Sequence, residues 1–90
     1  MKSIISFASD FGISDGSLGV VKGVINRIDP ELKINDISHD IPPQNIKYGS
    51  LLLMRAIQYI PPGVLLAVVD PGVGTERKPV AIETDWGVMV

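Results

Sequence analysis

The chain has 90 residues, 46% of them hydrophobic, which suits one small domain with a modest core and excludes two. Eight basic and ten acidic side chains leave a net charge of -2, and nothing in that balance points to a nucleic-acid backbone or an anionic membrane as partner, since both require a basic face. With no cysteine, disulfides, thiolate metal sites and cysteine nucleophiles are excluded as well.

In chain order, residues 3–8 (Ser-Ile-Ile-Ser-Phe-Ala) read as a short buried strand. Ser9-Asp10-Phe11-Gly12 ends it with turn chemistry. Ser14 or Asp15 is placed to cap a helix running to about Arg27, because each offers a side-chain oxygen to the free N–H groups of a first turn. Leu18, Val21, Val24, Ile25 and Ile28 recur at helical spacing along it. Gly16, Gly19 and Gly23 each disfavour a helix by roughly 1 kcal/mol, so three of them point to close approach of another backbone or a ligand. Asp29-Pro30 stops this helix.

Residues 32–38 set Leu and Ile against Lys, Asn and Asp at period 2, the pattern of a second strand. His39-Asp40-Ile41-Pro42-Pro43 reads as a loop. A second helix is expected over residues 45–59, with Ile46, Leu52, Leu53, Ala56 and Ile57 toward the core, and Pro61-Pro62-Gly63 breaks it. Residues 64–69 (Val-Leu-Leu-Ala-Val-Val) form a continuous apolar run, as expected for a central parallel strand covered on both faces. A fourth strand is expected over residues 79–84, a turn at Asp85-Trp86-Gly87, and a fifth strand over residues 88–90. The order predicts an α/β domain with a largely parallel sheet, flanking helices and right-handed crossovers.

The apolar run of residues 4–8 stops at Asp10, too early for a secretory signal, and residues 64–69 are too few to span a bilayer. A soluble cytoplasmic protein is the expectation. The chain stops inside an apolar strand, so the natural fold is expected to continue past Val90 or the product to be truncated.

Ligands of open parallel sheets bind beyond the carboxyl ends of the strands. Those ends carry Ser9 and Asp10 with the helix start at Asp15-Gly16-Ser17, then Ser38, His39 and Asp40, then Asp70 with its glycine loop. Asp10 and Asp70 each come straight off an apolar strand and are each followed by glycine. Two such acids favour a site over two capping groups. Asp70-Pro71-Gly72-Val73-Gly74 is neither a Walker loop nor a dinucleotide fingerprint. On composition a tight turn and a functional loop are equally open. Arg77 could fold back on Asp70, keep it ionised and help orient water or a carboxylate, and a surface arginine is the plainer alternative. His39, the sole histidine, reads as a hydrogen-bonded structural residue rather than a general base. Metal binding is not expected, with one histidine and no cysteine. Trp86 and Tyr48 read as core or interface residues, Lys22 and Arg27 as the solvated face of the first helix.

Together these residues form a recognisable set. Ser9-Asp10-Phe11-Gly12, Asp15-Gly16, Lys22-Gly23-Val24-Ile25, residues 36–44 (Asp-Ile-Ser-His-Asp-Ile-Pro-Pro-Gln), Pro61-Pro62-Gly63 and residues 69–77 (Val-Asp-Pro-Gly-Val-Gly-Thr-Glu-Arg) occur in order. The chain thereby resembles the N-terminal, Rossmann-like three-layer domain of the S-adenosylmethionine hydroxide adenosyltransferases, which are related to fluorinases and chlorinases.

The resemblance implies hydrolysis of S-adenosylmethionine to adenosine and methionine by attack of water or hydroxide at the ribose C5′ carbon, with no metal and no cofactor. It implies that Asp70 and Arg77 belong to an Asp-Arg-His set holding that water. The histidine of that set lies beyond residue 90 and is not His39. Asp10 matches the residue that grips the ribose hydroxyls. Asp15, Gly16 and Ser17 match a segment contacting the methionine end, and Gln44 a position lining the nucleoside pocket. In the halogenases the position of Asp70 is not an acid, so Asp70 favours hydrolysis. The family pattern adds a C-terminal β-barrel domain, absent here, and a trimer with the site between subunits. The competing readings are a non-catalytic truncated product, keeping a nucleoside half-site or only an oligomerisation surface, and an unrelated phosphate-binding α/β module.

Overall fold

The computed structural model describes residues 4–14, 16–69 and 80–90. In it β1 (Ile4–Ser9), β2 (Lys33–Ser38) and β3 (Val64–Val68) are separated by α1 (Ser17–Ile28) and α2 (Ile46–Ala56), and β4 (Ile82–Glu83) and β5 (Val88–Met89) follow. The sheet runs in the order β2-β1-β3-β5-β4. β1 pairs parallel with β2 and β3, and β3 with β5, while β4 lies antiparallel on the edge. The expected α/β domain with a largely parallel sheet is therefore present.

Register and alternation divide the faces. Phe7 is in register with Asp36 and Leu66, and Asp36 bonds Lys22 of α1. Leu65 and Ala67 point the other way and form, with Ser50, Leu53 and Met54 of α2 and Ile57 just after it, an apolar cleft of about 280 Å³. The helices thus cover opposite faces, the three layers that right-handed crossovers on either side of β1 produce. The core is small, with Phe7, Ala8, Ile41 and Leu65 as its buried apolar residues among those described.

Several local expectations change. α1 starts at Ser17 with Gly16 as N-cap in the left-handed region (φ 84°) and no side-chain cap bond, so Ser14 does not cap it. Asp15 lies outside the described residues. A Cβ added at Gly16, Gly19 or Gly23 would meet nothing within 4 Å among the described residues, so these glycines mark no close approach to any of them. Leu18, Val21 and Ile25 face inward, half-buried, but Val24 and Ile28 are 52% and 81% exposed. The helix ends as expected at Asp29, whose carboxylate accepts from the Glu31 N–H at 3.1 Å.

β2 pairs with β1 in steady register up to Phe7↔Asp36 and then skips to Ala8↔Ser38. Ile37 is the extra residue of a bulge, which is why Asp36 and Ile37 break the period-2 pattern. α2 is capped by Asn45, whose side chain accepts from the Tyr48 N–H at 2.9 Å. The helix ends at Ala56, short of Tyr59, and Ile46 in its first turn is 54% exposed rather than in the core. Of the expected fourth strand, β4 keeps only Ile82 and Glu83 among the described residues 80–84, a short exposed edge of the kind that discourages intermolecular pairing.

Candidate active site

Ser9 is the last residue of β1, and the chain turns there into Asp10-Phe11-Gly12. The Asp10 N–H donates to the Val68 carbonyl at 3.2 Å, which ties this turn to the end of β3. The Gly12 N–H donates to the His39 carbonyl at 2.8 Å, and the Ile41 N–H to the Ser9 carbonyl at 3.4 Å. The three carboxyl ends are thus laced together by backbone bonds. Gly12 sits at φ 73°, a conformation glycine adopts without strain.

Two sequence-predicted site residues meet here. The Gln44 backbone N–H donates to Asp10 Oδ2 at 3.3 Å, across 34 positions of sequence. Gln44 itself stands at φ 63°, the one non-glycine residue with positive φ among those described. That conformation costs of order 1 kcal/mol and persists only where the surroundings dictate it. Its backbone N–H, not its side chain, makes this contact. Gly16 and Ser17 open α1, the helix that β1 feeds. Asp15, Asp70 and Arg77 lie outside the described residues.

Beneath the Asp10 turn runs a chain of polar side chains. The Ser9 hydroxyl lies 2.6 Å from His39 Nδ1, His39 Nε2 lies 2.8 Å from Asp36 Oδ1, and Lys22 Nζ lies 2.7 Å from Asp36 Oδ2. Phe7 packs edge-on against the His39 ring at 4.7 Å and against Phe11 at 6.2 Å. The Ile37 bulge shifts the end of β2 so that His39 lies over Ser9. His39 pairs as a structural residue would, with Ser9 and Asp36. Lys22 is no plain solvated residue either, since it closes the chain at Asp36.

The partners assign the protons. An ionised Asp36 only accepts, so Nε2–H donates to it. Nδ1 then accepts from the Ser9 O–H, whose oxygen in turn accepts from the Phe11 N–H at 3.3 Å. The connectivity is that of a Ser-His-Asp triad, yet Ser9 is fully buried and His39 6% exposed. A nucleophile has to be reached by its substrate, so this network holds structure and does not attack.

Partial burial pushes the Asp36 carboxyl up, but the hydrogen bonds from Lys22 and His39 and the charge of Lys22 outweigh it and hold the group below its ordinary 3.8. A depressed folded value contributes stability above pH 3.8 that is lost as pH falls through the lower folded value. In urea titrations the gap between wild type and Asp36→Asn should therefore be constant above pH 3.8 and shrink below it. A gap independent of pH would contradict the pairing.

Trp86 is half-buried, as a core or interface residue would be, whereas Tyr48 is 49% exposed. Among the described residues no cluster of three His, Cys, Asp or Glu could hold a metal ion, and no helix is long and apolar enough to cross a membrane.

Fold and site define a class: an α/β domain whose polar residues gather at the carboxyl edge of a parallel sheet, where such domains bind small ligands. The sequence profile of the SAM hydroxide adenosyltransferase N-terminal domain matches residues 5–90, and the chain belongs to that family. It is 46% identical over 88 residues to an (R)-S-adenosyl-L-methionine hydrolase of Methanocaldococcus jannaschii, covering 93% of this chain and 34% of that protein. A fluorinase of Nocardia brasiliensis is 32% identical over 82 residues, covering 90% of this chain and 27% of that protein. An uncharacterized conserved protein from Thermotoga maritima superposes with a TM-score of 0.86 at 41% identity, covering 94% of this chain and 34% of that one. The chain spans about a third of the length of the curated hydrolases it matches.

Proposed function

We propose that this domain supplies the nucleoside-binding and water-holding part of an enzyme that hydrolyses S-adenosyl-L-methionine to adenosine and L-methionine. The observation that carries the reading is the Asp10 turn. Its carboxylate is oriented by the Gln44 N–H, and its backbone is tied to Val68, two residues before Asp70 in sequence.

In this reading Asp10 accepts hydrogen bonds from the ribose cis-diol. Gln44 lines the nucleoside pocket, and Asp15, Gly16 and Ser17 receive the methionine end, Asp15 pairing with its ammonium group. Asp70 and Arg77 hold the attacking water. The water oxygen bonds to C5′ as the C5′–sulfonium bond breaks. Its electron pair goes to sulfur, methionine leaves as a neutral thioether, and one proton is released. The leaving group carries its own positive charge, so positioning and partial desolvation of the water are the contributions required, and the reading needs no metal or cofactor. Hydrolysis rather than halide transfer is supported by the acid at position 70 and by the higher identity to hydrolases than to fluorinases. A trimer with the site between subunits, and a cytoplasmic location, complete the proposal.

The test is formation of adenosine and methionine from S-adenosylmethionine by a protein carrying this domain together with the length by which the curated relatives exceed it. Asp70→Ala should lower kcat about a hundredfold, the effect of losing a group that holds and polarises a nucleophile. Turnover that persists in this variant removes Asp70 from the water site. Adenosine binding without any turnover would favour a non-catalytic half-site.

A further inference from the structure

We propose that His39 is a positioning residue for the nucleoside carboxylate. It pins both ends of the Asp10 turn, and the bond that matters for ligand affinity is the one from the Ser9 hydroxyl to Nδ1. This rests on the reading that Asp10 grips the ribose.

The turn Ser9-Asp10-Phe11-Gly12 has two anchors, and His39 supplies both. Its ring holds Ser9 through the 2.6 Å contact to the hydroxyl, and its backbone carbonyl accepts from the Gly12 N–H at 2.8 Å. Asp10 and Phe11 are the two residues between these anchors. The Ser9 hydroxyl reinforces the arch from within by accepting the Phe11 N–H. The ring cannot swing away. Phe7, fully buried, packs against it edge-on, and Asp36, itself tied to α1 through Lys22, fixes Nε2. Asp36 thereby selects the tautomer that leaves Nδ1 free to accept. A doubly protonated ring would present a donor to Ser9 and leave the buried hydroxyl hydrogen needing another acceptor. The bulge at Ile37 has a purpose in this arrangement, because if Ile37 paired in regular register with Ala8, β2 would deliver His39 one position further on, to the other face of the sheet.

The two ends of the imidazole can be tested separately. Asparagine can place an amide oxygen where Nδ1 stands but is too short to reach Asp36. Glutamine can reach Asp36 but leaves Ser9 without its acceptor. Neither substitution alters the backbone carbonyl that holds Gly12. Ser9→Ala removes the hydroxyl from the other side.

Adenosine affinity is measured by calorimetry, amide hydrogen exchange by NMR, and the melting midpoint alongside. Ser9→Ala and His39→Gln should each weaken adenosine about tenfold, while His39→Asn stays within about threefold of wild type, the size expected for loss or retention of one buried hydrogen bond. Exchange at the Phe11 and Gly12 amides should accelerate about tenfold in the first two variants, with the β3 amides unchanged, as for a local opening. Unchanged exchange at Phe11 and Gly12 in both variants overturns the assignment, as does His39→Asn losing as much affinity as His39→Gln. Uniform acceleration across β1, β2 and β3 assigns the network a purely structural role and also overturns it. If wild type binds no adenosine, the ribose reading fails, and the exchange comparison still decides whether His39 holds the turn.

Discussion

Asp10→Ala is expected to abolish useful affinity for adenosine, weakening it about a thousandfold. A carboxylate accepting from both hydroxyls of a cis-diol makes two charge-assisted bonds, each worth about 1.5–3 kcal/mol. Losing both accounts for a factor of that order. The carboxylate is not left to find its own orientation, because the Gln44 N–H already holds Oδ2 and the Val68 carbonyl holds the Asp10 backbone. This pre-organisation lowers the entropic cost of binding. The control lies in the ligand. A 2′,3′-dideoxy nucleoside lacks both hydroxyl donors, so its affinity should be low for wild type and the same for Asp10→Ala. Wild-type affinity for adenosine in the alanine variant would remove Asp10 from the ribose site. In a turnover assay the same variant should lose kcat/KM at least as heavily as affinity, since C5′ is positioned through the ribose.

Gly87→Ala should be the most damaging single methyl group that can be added to the described residues. A Cβ at Gly87 would collide with the Gly63 carbonyl oxygen, and that oxygen accepts the Val88 N–H at 3.0 Å. The added methyl cannot be relieved by a rotamer change, because its obstacle is backbone. Either β5 moves off β3 or the ladder bond is lost, and the β4–β5 pairing moves with it. Such overpacking costs about 1–3 kcal/mol, which for a domain of this size lowers the melting midpoint on the order of 10 °C or more. Gly63→Ala should behave similarly, with its Cβ 2.6 Å from the Ile4 carbonyl oxygen. The counter-experiment uses the glycines of α1. Gly19→Ala and Gly23→Ala meet nothing within 4 Å among the described residues and should each raise stability by up to about 1 kcal/mol through helix propensity. Thermal unfolding followed by circular dichroism checks all four, and a midpoint for Gly87→Ala equal to wild type would refute the close approach of the two backbones.

The opposite outcomes expected for glycines of one chain show where reading from residues alone stops. Local signals were reliable because their causes lie within a few positions. Asp29-Pro30 ends α1 by removing the next helical N–H and restricting the residue before it. Asn45 caps α2 by accepting from a residue three positions on. The apolar run after Gly63 makes a central strand, and Asp10 comes off the first strand into a turn. The order of these elements was enough for an α/β domain with a parallel sheet, and hence for the edge where a ligand would sit.

Tertiary structure decided everything that depends on partners distant in sequence. Ser9 and His39 are 30 positions apart and Asp10 and Gln44 are 34 apart, so no local pattern announces either pair. The skipped register at Ile37, which shifts the end of β2 and carries His39 over Ser9, exists only because β2 has a neighbour to slip against. Lys22 looked like solvent-facing charge until β2 brought Asp36 beneath it. Val24 and Ile28 share the helical spacing of Leu18, Val21 and Ile25 but lie outside the arc that one sheet face can cover. Composition and short-range spacing state which element each residue joins and on which edge the acids gather. Which acid is oriented, by what, and which histidine holds it there follows only from the pairing of strands, whose contacts are made after the chain has closed on itself.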